Sequence, residues 1–119
     1  MIPLTTLVDM TGREGFFVLP TGALVSSATA AVPLGVITEG FPVERKSAVA
    51  LANFSGTVKV KLGAAPGPVA VGTYLCLQAD GTTRFDPGAG PRIRVARSLE
   101  AGVAQELVEA TLCEPVILV

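Results

Sequence analysis

The chain contains no histidine and no tryptophan, and its only cysteines are Cys76 and Cys113. Without histidine, the commonest general base and metal ligand at neutral pH is missing, and the usual nucleophile–base–acid triad cannot be built. Two cysteines without histidine cannot complete a structural zinc site within one chain. They are also too few for a disulfide framework, so buried thiols are expected, with a Cys76–Cys113 bridge left open. Charge is scarce: 16% of residues are Asp, Glu, Lys or Arg, against about 25% in ordinary soluble domains. Nine Lys and Arg against ten Asp and Glu leave a net charge of -1. No broad basic field is therefore available for nucleic acid. The first residues, Met1-Ile2-Pro3-Leu4-Thr5-Thr6-Leu7-Val8, have neither the basic start nor the long apolar stretch of a signal peptide. No apolar run approaches the roughly 18 residues of a membrane span. The expectation is an intracellular protein that meets neither membrane nor nucleic acid.

What is present is apolar. Half of the 119 residues are hydrophobic, which excludes an intrinsically disordered chain. That length suits a single domain that hides about 65% of its unfolded surface. Thirteen Gly and nine Pro fall in clusters between short apolar runs, the distribution of a strand-and-turn protein. Residues 1–13 read as an extended arm, since Pro3 and the threonines oppose a helix. Residues 14–119 read as one β-rich domain. Within it, Gly15-Phe16-Phe17-Val18-Leu19 predicts a buried strand closed by the turn Pro20-Thr21-Gly22, and Ala23-Leu24-Val25 a second short one. Strand character resumes at 34–38 and 47–54. Thr57-Val58-Lys59-Val60-Lys61-Leu62 alternates with period two, giving one dry and one wet face. Thr73-Tyr74-Leu75-Cys76-Leu77 and Thr82-Thr83-Arg84-Phe85 form a hairpin through Asp80-Gly81. Arg92-Ile93-Arg94-Val95-Ala96 alternates again after the breaker 86–91.

The last third holds a conflict. Leu99, Val103 and Leu107 share one helical stripe across 98–110, and Ser98 could cap a helix there. Gly102 costs about 1 kcal/mol inside a helix, so the favoured reading is strand 92–99, a link around Gly102, and strand 107–113. A short helix near 98–110 is the alternative. Pro115 cannot donate to a ladder, which makes the tail Val116-Ile117-Leu118-Val119 an edge strand or an interface element. The fold expected is all-β: a small antiparallel barrel or sandwich of short strands with an extended N-terminal arm.

No motif carries catalytic chemistry. Lys46 and Ser47 are adjacent, and neighbours on a strand point to opposite faces. The ten carboxylates are scattered, without the spacing that holds hard cations. The Gly-rich stretches 63–68 and 88–91 contain prolines, which remove the amide donors that a phosphate cradle needs. The reading therefore assigns no catalytic, cofactor or metal-binding residue. Arg92 and Arg94 lie on one strand face, with Arg97 expected opposite, as a solvated stripe or a contact for an acidic protein surface. The apolar excess in arm, loops and tail marks an association surface, which implies a homo-oligomer or docking to a larger assembly.

Gly15-Phe16-Phe17-Val18, Leu34-Gly35-Val36 and Ser55-Gly56-Thr57-Val58-Lys59-Val60, followed by Val71-Gly72-Thr73-Tyr74-Leu75, Asp80-Gly81-Thr82-Thr83-Arg84-Phe85 and Arg94-Val95-Ala96, carry a family likeness. Over residues 15–112 this order resembles the small capsid cement, or head decoration, proteins of tailed bacteriophages. The resemblance implies a non-enzymatic structural protein, made in the host bacterial cytoplasm, that binds the outer surface of an expanded icosahedral head. It implies the major capsid protein as partner, and a self-association for which a trimer is favoured. The contact residues it suggests are Ile2, Pro3, Leu4, Leu7 and Val8 in the arm, which would add a strand to a shell subunit's sheet edge, together with Arg92 and Arg94. Two other classes compete: another phage structural part, in tail or baseplate, and a carbohydrate-binding β-module, which normally stacks sugars on exposed rings.

Overall fold

The computed structural model describes residues 2–5, 13–23, 25–29, 31–40, 46–51, 56–63 and 68–119, with backbone alone for 2–5, 39–40 and 46–48. The described residues form nine strands and no helix. The all-β expectation holds, and both antiparallel sheets follow from short apolar runs cut by Gly and Pro. The first sheet is built from β1 (Ile2–Thr5), β2 (Phe17–Val18), β3 (Gly35–Gly40) and β4 (Lys46–Leu51), in the order β1-β4-β3-β2. The second has β5 (Thr57–Lys61), β6 (Tyr74–Leu77), β7 (Thr83–Phe85), β8 (Arg92–Ser98) and β9 (Leu107–Leu118), in the order β5-β9-β8-β6-β7.

The second sheet curls on itself. Its two edge strands meet where Leu62, just past β5, bridges Thr83 of β7. There the Gly63 N–H donates to the Thr83 carbonyl at 2.8 Å, and the Thr83 hydroxyl donates to the Lys61 carbonyl at 3.0 Å. Edge backbone that would otherwise face water is thus partly paired. Gly15 stitches the two sheets together: its N–H donates to Ile37 of β3 at 2.7 Å, and its carbonyl accepts from Lys61 of β5 at 3.0 Å. The architecture therefore lies between the barrel and the sandwich that the sequence left open.

The core forms where the inner faces meet. Phe17, Val36 and Ala50 of the first sheet pack on Val58, Val60, Leu75, Leu77, Ile93, Val95 and Val108 of the second. Burying each large side chain stabilises the fold by about 1.5–3 kcal/mol. The period-two run in β5 behaves as its pattern dictates, with Val58 and Val60 buried and Thr57 and Lys59 exposed.

The favoured strand–link–strand reading of the last third holds, and two other local expectations change. The alternative helix near 98–110 is absent: β8 runs to Ser98, residues 99–106 form the link, and β9 begins at Leu107. Gly102 instead joins Val69 through a reciprocal pair of backbone bonds at 2.8 and 3.0 Å. The supposed helical stripe faces outward, with Leu99, Val103 and Leu107 43%, 54% and 43% exposed. Of the short strand expected at 23–25, Ala23 and Val25 lie in no strand and Leu24 lies outside the described residues; the turn before it has Leu19 donating to the Ala23 carbonyl at 2.9 Å and Gly22 at φ +89°. The last strand runs on through Pro115, because the β8–β9 register jumps from Ala96↔Leu112 to Arg94↔Val116. Residues 113–115 then oppose Val95 alone, and proline sits where the ladder needs no donor.

Candidate functional site

The arm residues divide. Ile2, Pro3 and Leu4 belong to β1, which pairs antiparallel with β4 through Ile2↔Val49, Pro3↔Ala48 and Leu4↔Ser47. The segment is extended, as expected, and one of its two edges is already taken within the chain. Its other edge is the outer edge of the first sheet. Leu7 and Val8 lie outside the described residues.

Arg92 and Arg94 are not a solvated stripe. Both close on Asp86, which ends the strand β7 hairpin arm and opens the loop 86–91. Asp86 Oδ1 accepts from Arg92 Nε at 2.5 Å and from the Gly88 N–H at 2.8 Å, while Oδ2 accepts from the Arg94 guanidinium at 2.7 Å. Arg92 also donates to the Gly90 carbonyl at 2.9 Å and is 8% exposed. The Asp-Pro-Gly sequence makes this arrangement, since an aspartate readily accepts from the backbone two residues on. Burial alone would raise the Asp86 carboxyl. Hydrogen bonds from Arg94, the Gly88 amide and Arg92, with the Arg92 charge, more than reverse that and hold it at about 2.

A cationic face surrounds this junction on the outer side of the second sheet. Cross-strand pairing brings Arg84, Cys76 and Arg94 into one row and Tyr74 and Arg97 into the next. Arg94 and Arg97 are three residues apart, so strict alternation puts them on opposite faces. The register shift at Val95, seen against both β6 and β9, adds a residue and brings both to Tyr74. The Arg94 guanidinium lies 4.2 Å from the ring centroid and that of Arg97 5.4 Å, within cation–π range. Arg97 is further held by donating to the Gly72 carbonyl at 3.1 Å.

Beneath these charges lies Cys76, fully buried although it occupies an outward position on β6 and is not part of the inner core. Burial, reinforced by the Asp86 charge, pushes its thiol up to about 11 against the opposing pull of Arg92, Arg94 and Arg84. It is therefore protonated at neutral pH and is no nucleophile. Both cysteines are free. Cys76 on β6 and Cys113 on β9 are separated by β8, which sets them about two strand spacings apart, roughly 9–10 Å, beyond disulfide reach. Burial also raises the half-buried Cys113 thiol. In the native protein, a thiol reagent at pH 8 is expected to modify Cys113 slowly and Cys76 only after denaturant is added. Simultaneous modification of both would contradict this geometry; Cys113→Ser should abolish the native signal.

Elsewhere on the same face, Lys59 of β5 is held by Glu100 at 3.2 Å and Glu109 at 3.4 Å. The Glu109 N–H donates to Glu100 at 2.7 Å and, with Lys59, holds the Glu100 carboxyl below its usual range. A groove of about 200 Å³ lies between the sheets, lined by Glu14, Gly15, Ile37, Thr38, Thr57, Val58 and Lys59. Its lysine is committed to the Glu100–Glu109 pair. Among the described residues, no three His, Cys, Asp or Glu side chains converge as metal ligands.

Apolar side chains remain uncovered at the end of β9. Val116, Ile117 and Val119 are 42%, 64% and 97% exposed, and Val116 pairs with Arg94. Sequence reasoning singled out this tail but missed Tyr74, Arg84 and Asp86. Asp86 was legible as a turn residue; its partners six and eight positions on depend on how the loop crosses β6. No protein-family model matches the chain, and no curated protein matches it either.

Proposed function

We propose that this protein is a capsid decoration, or cement, protein that binds the outer surface of an icosahedral phage head and stabilises its lattice. The observation that carries this reading is the apolar surface at the end of β9. A small domain that leaves Val116, Ile117 and Val119 exposed at one strand end, Val116 beside Arg94 on the outer face and Ile117 beside Ile93 on the other, has the character of a component that docks. The resemblance of residues 15–112 to head decoration proteins supplies the kind of assembly. Its major capsid protein is the partner, and a trimer is the self-association favoured. The outer edge of β1, Ile2–Thr5, is unpaired among the described residues and offers backbone donors and acceptors for strand addition.

The mechanism is mass action. A ligand that binds the assembled lattice and not its dissociated subunits stabilises that lattice in proportion to occupancy and affinity. An oligomer that engages several subunits multiplies the effect. Sugar binding is weaker as a reading, because the exposed ring of Tyr74 has two guanidiniums lying over it. The test is sedimentation of purified protein with expanded empty heads assembled from the same phage's capsid protein. Saturable co-pelleting, and raised resistance of the heads to heat, are the expected results. Protein that stays in the supernatant at micromolar concentrations would overturn the proposal.

A further inference from the structure

We infer that the outer face of β6, β7 and β8, made by Arg84, Arg94, Arg97 and Tyr74 with Val116 alongside, is a docking surface for an acidic protein surface. The inference deepens the decoration reading and rests on it for the identity of the partner. Its own basis is charge segregation. Four of the nine cationic residues, Arg84, Arg92, Arg94 and Arg97, gather at this place, where Asp86 pairs with Arg92 and Arg94. The exposed Glu114, two residues before Val116 on β9, is a second carboxylate beside them. Four positive charges less two negative leave +2 at this patch. The whole chain carries -1, so everything else carries -3. Such a separation directs a partner's carboxylates to one place and repels them elsewhere.

The face is also held in shape before anything binds. Arg94 is fixed by Asp86 and by the Tyr74 ring, and Arg97 by the Gly72 carbonyl. Guanidiniums already ordered lose less freedom on binding, and their planar forks suit carboxylates. Their stems help keep Cys76 dry, which accounts for a buried thiol at an outward position. Arginine and tyrosine are the side chains that most often anchor protein interfaces. A nucleic acid fits less well, because a long polyanion would run off this patch onto a chain whose other charges sum to -3. By itself the patch spans three strands, about 10 Å, and is small for a stable interface. Val116, the cross-strand neighbour of Arg94, extends it with apolar area.

The test compares wild-type protein, Arg84→Gln/Arg97→Gln, Arg97→Gln alone and the equal-charge control Lys59→Gln/Lys61→Gln. Each is titrated with a fluorescent octaglutamate peptide and with a fluorescent 12-nucleotide single strand, at 50 and 300 mM salt. The arginine pair is expected to weaken peptide binding at least tenfold and Arg97→Gln several-fold, with the lysine control within twofold of wild type. All four proteins should melt within a few degrees of one another, since the Arg92–Asp86–Arg94 junction is untouched. Absent peptide binding by wild type, equal loss in the lysine control, or tighter binding of the oligonucleotide through the same arginines would each overturn the inference. Sedimentation of the same proteins with expanded heads separates it from the broader reading. If wild type and the arginine pair pellet equally, this face is wrong while head binding stands. If peptide binding needs the arginines but nothing pellets, the face stands and the shell is the wrong partner.

Discussion

Asp86→Asn is expected to destabilise the fold by about 2–3 kcal/mol and to remove most of its sensitivity to acid. The aspartate answers two guanidiniums and one backbone amide at once, and Arg92 has little other recourse because it is 8% exposed. Breaking a buried ion pair by removing one partner leaves the other charge uncompensated. An asparagine keeps the shape but turns an amide donor toward groups that can only donate. The pH dependence follows from the held-down carboxyl. In the unfolded chain it titrates near its ordinary value of about 3.9; in the folded protein it titrates at about 2. The stabilisation is present in full above pH 4 and is lost as pH falls from there toward 2. It amounts to about 2 kcal/mol, consistent with the mutational cost. Urea melts at pH 7, 4 and 2.5 test both statements. Wild type should lose its advantage over Asp86→Asn across that interval, and parallel curves would show that another carboxylate governs acid unfolding.

The second large effect is expected at Gly15, where Ala should cost about 3 kcal/mol. Gly15 has φ +86°, a region that costs a residue with a Cβ about 1–2 kcal/mol. An added Cβ would also lie 2.8 Å from the Lys61 backbone nitrogen and 2.5 Å from Leu107 Cδ2. The Leu107 side chain can turn away, being 43% exposed, but the Lys61 backbone is fixed in the β5 ladder. Relief would require the two sheets to part at the residue that bonds to both. Thermal melting measures it directly, and a drop below 2 °C would mean that the junction is more compliant than its geometry allows.

Much of this fold was legible in the sequence because its signals are local. Alternation in 57–61 announced β5, and Asp80-Gly81 announced the β6–β7 hairpin, whose turn has Gly81 at φ +89°. A glycine that resists helix correctly favoured strand, turn and strand in the last third. What could not be read locally was the phase of β8. A bulge at Val95 leaves no mark in composition, and it decides that Arg94 and Arg97 share a ring. The solvated stripe expected at Arg92 and Arg94 failed for a related reason. Their counter-charge sits just past the end of β7, a strand that is not hydrogen-bonded to β8 but flanks β6 on the other side. Strand order in space has to be known before that carboxylate can be placed. The tail was read as an edge strand or an interface element, and it is the end of β9, paired with β8 and not with β5; the continuation of its pairing past Pro115 rests on a register shift that sequence does not disclose.

The position of β9 also sets a schedule for folding. β5 is complete by residue 61, yet its ladder partner begins only at 107 and closes back as far as Thr57↔Thr111. The same strand supplies the neighbour of β8, so a single late segment completes two ladders. Until it arrives, Val58 and Val60 have an unpaired backbone and half a core to cover them. Such distant pairing slows the search for the native state, and an exposed apolar strand in waiting is the kind of intermediate that aggregates. Yield during overproduction should therefore respond more to how fast the chain is made, and to chaperone supply, than to the equilibrium strength of the finished fold.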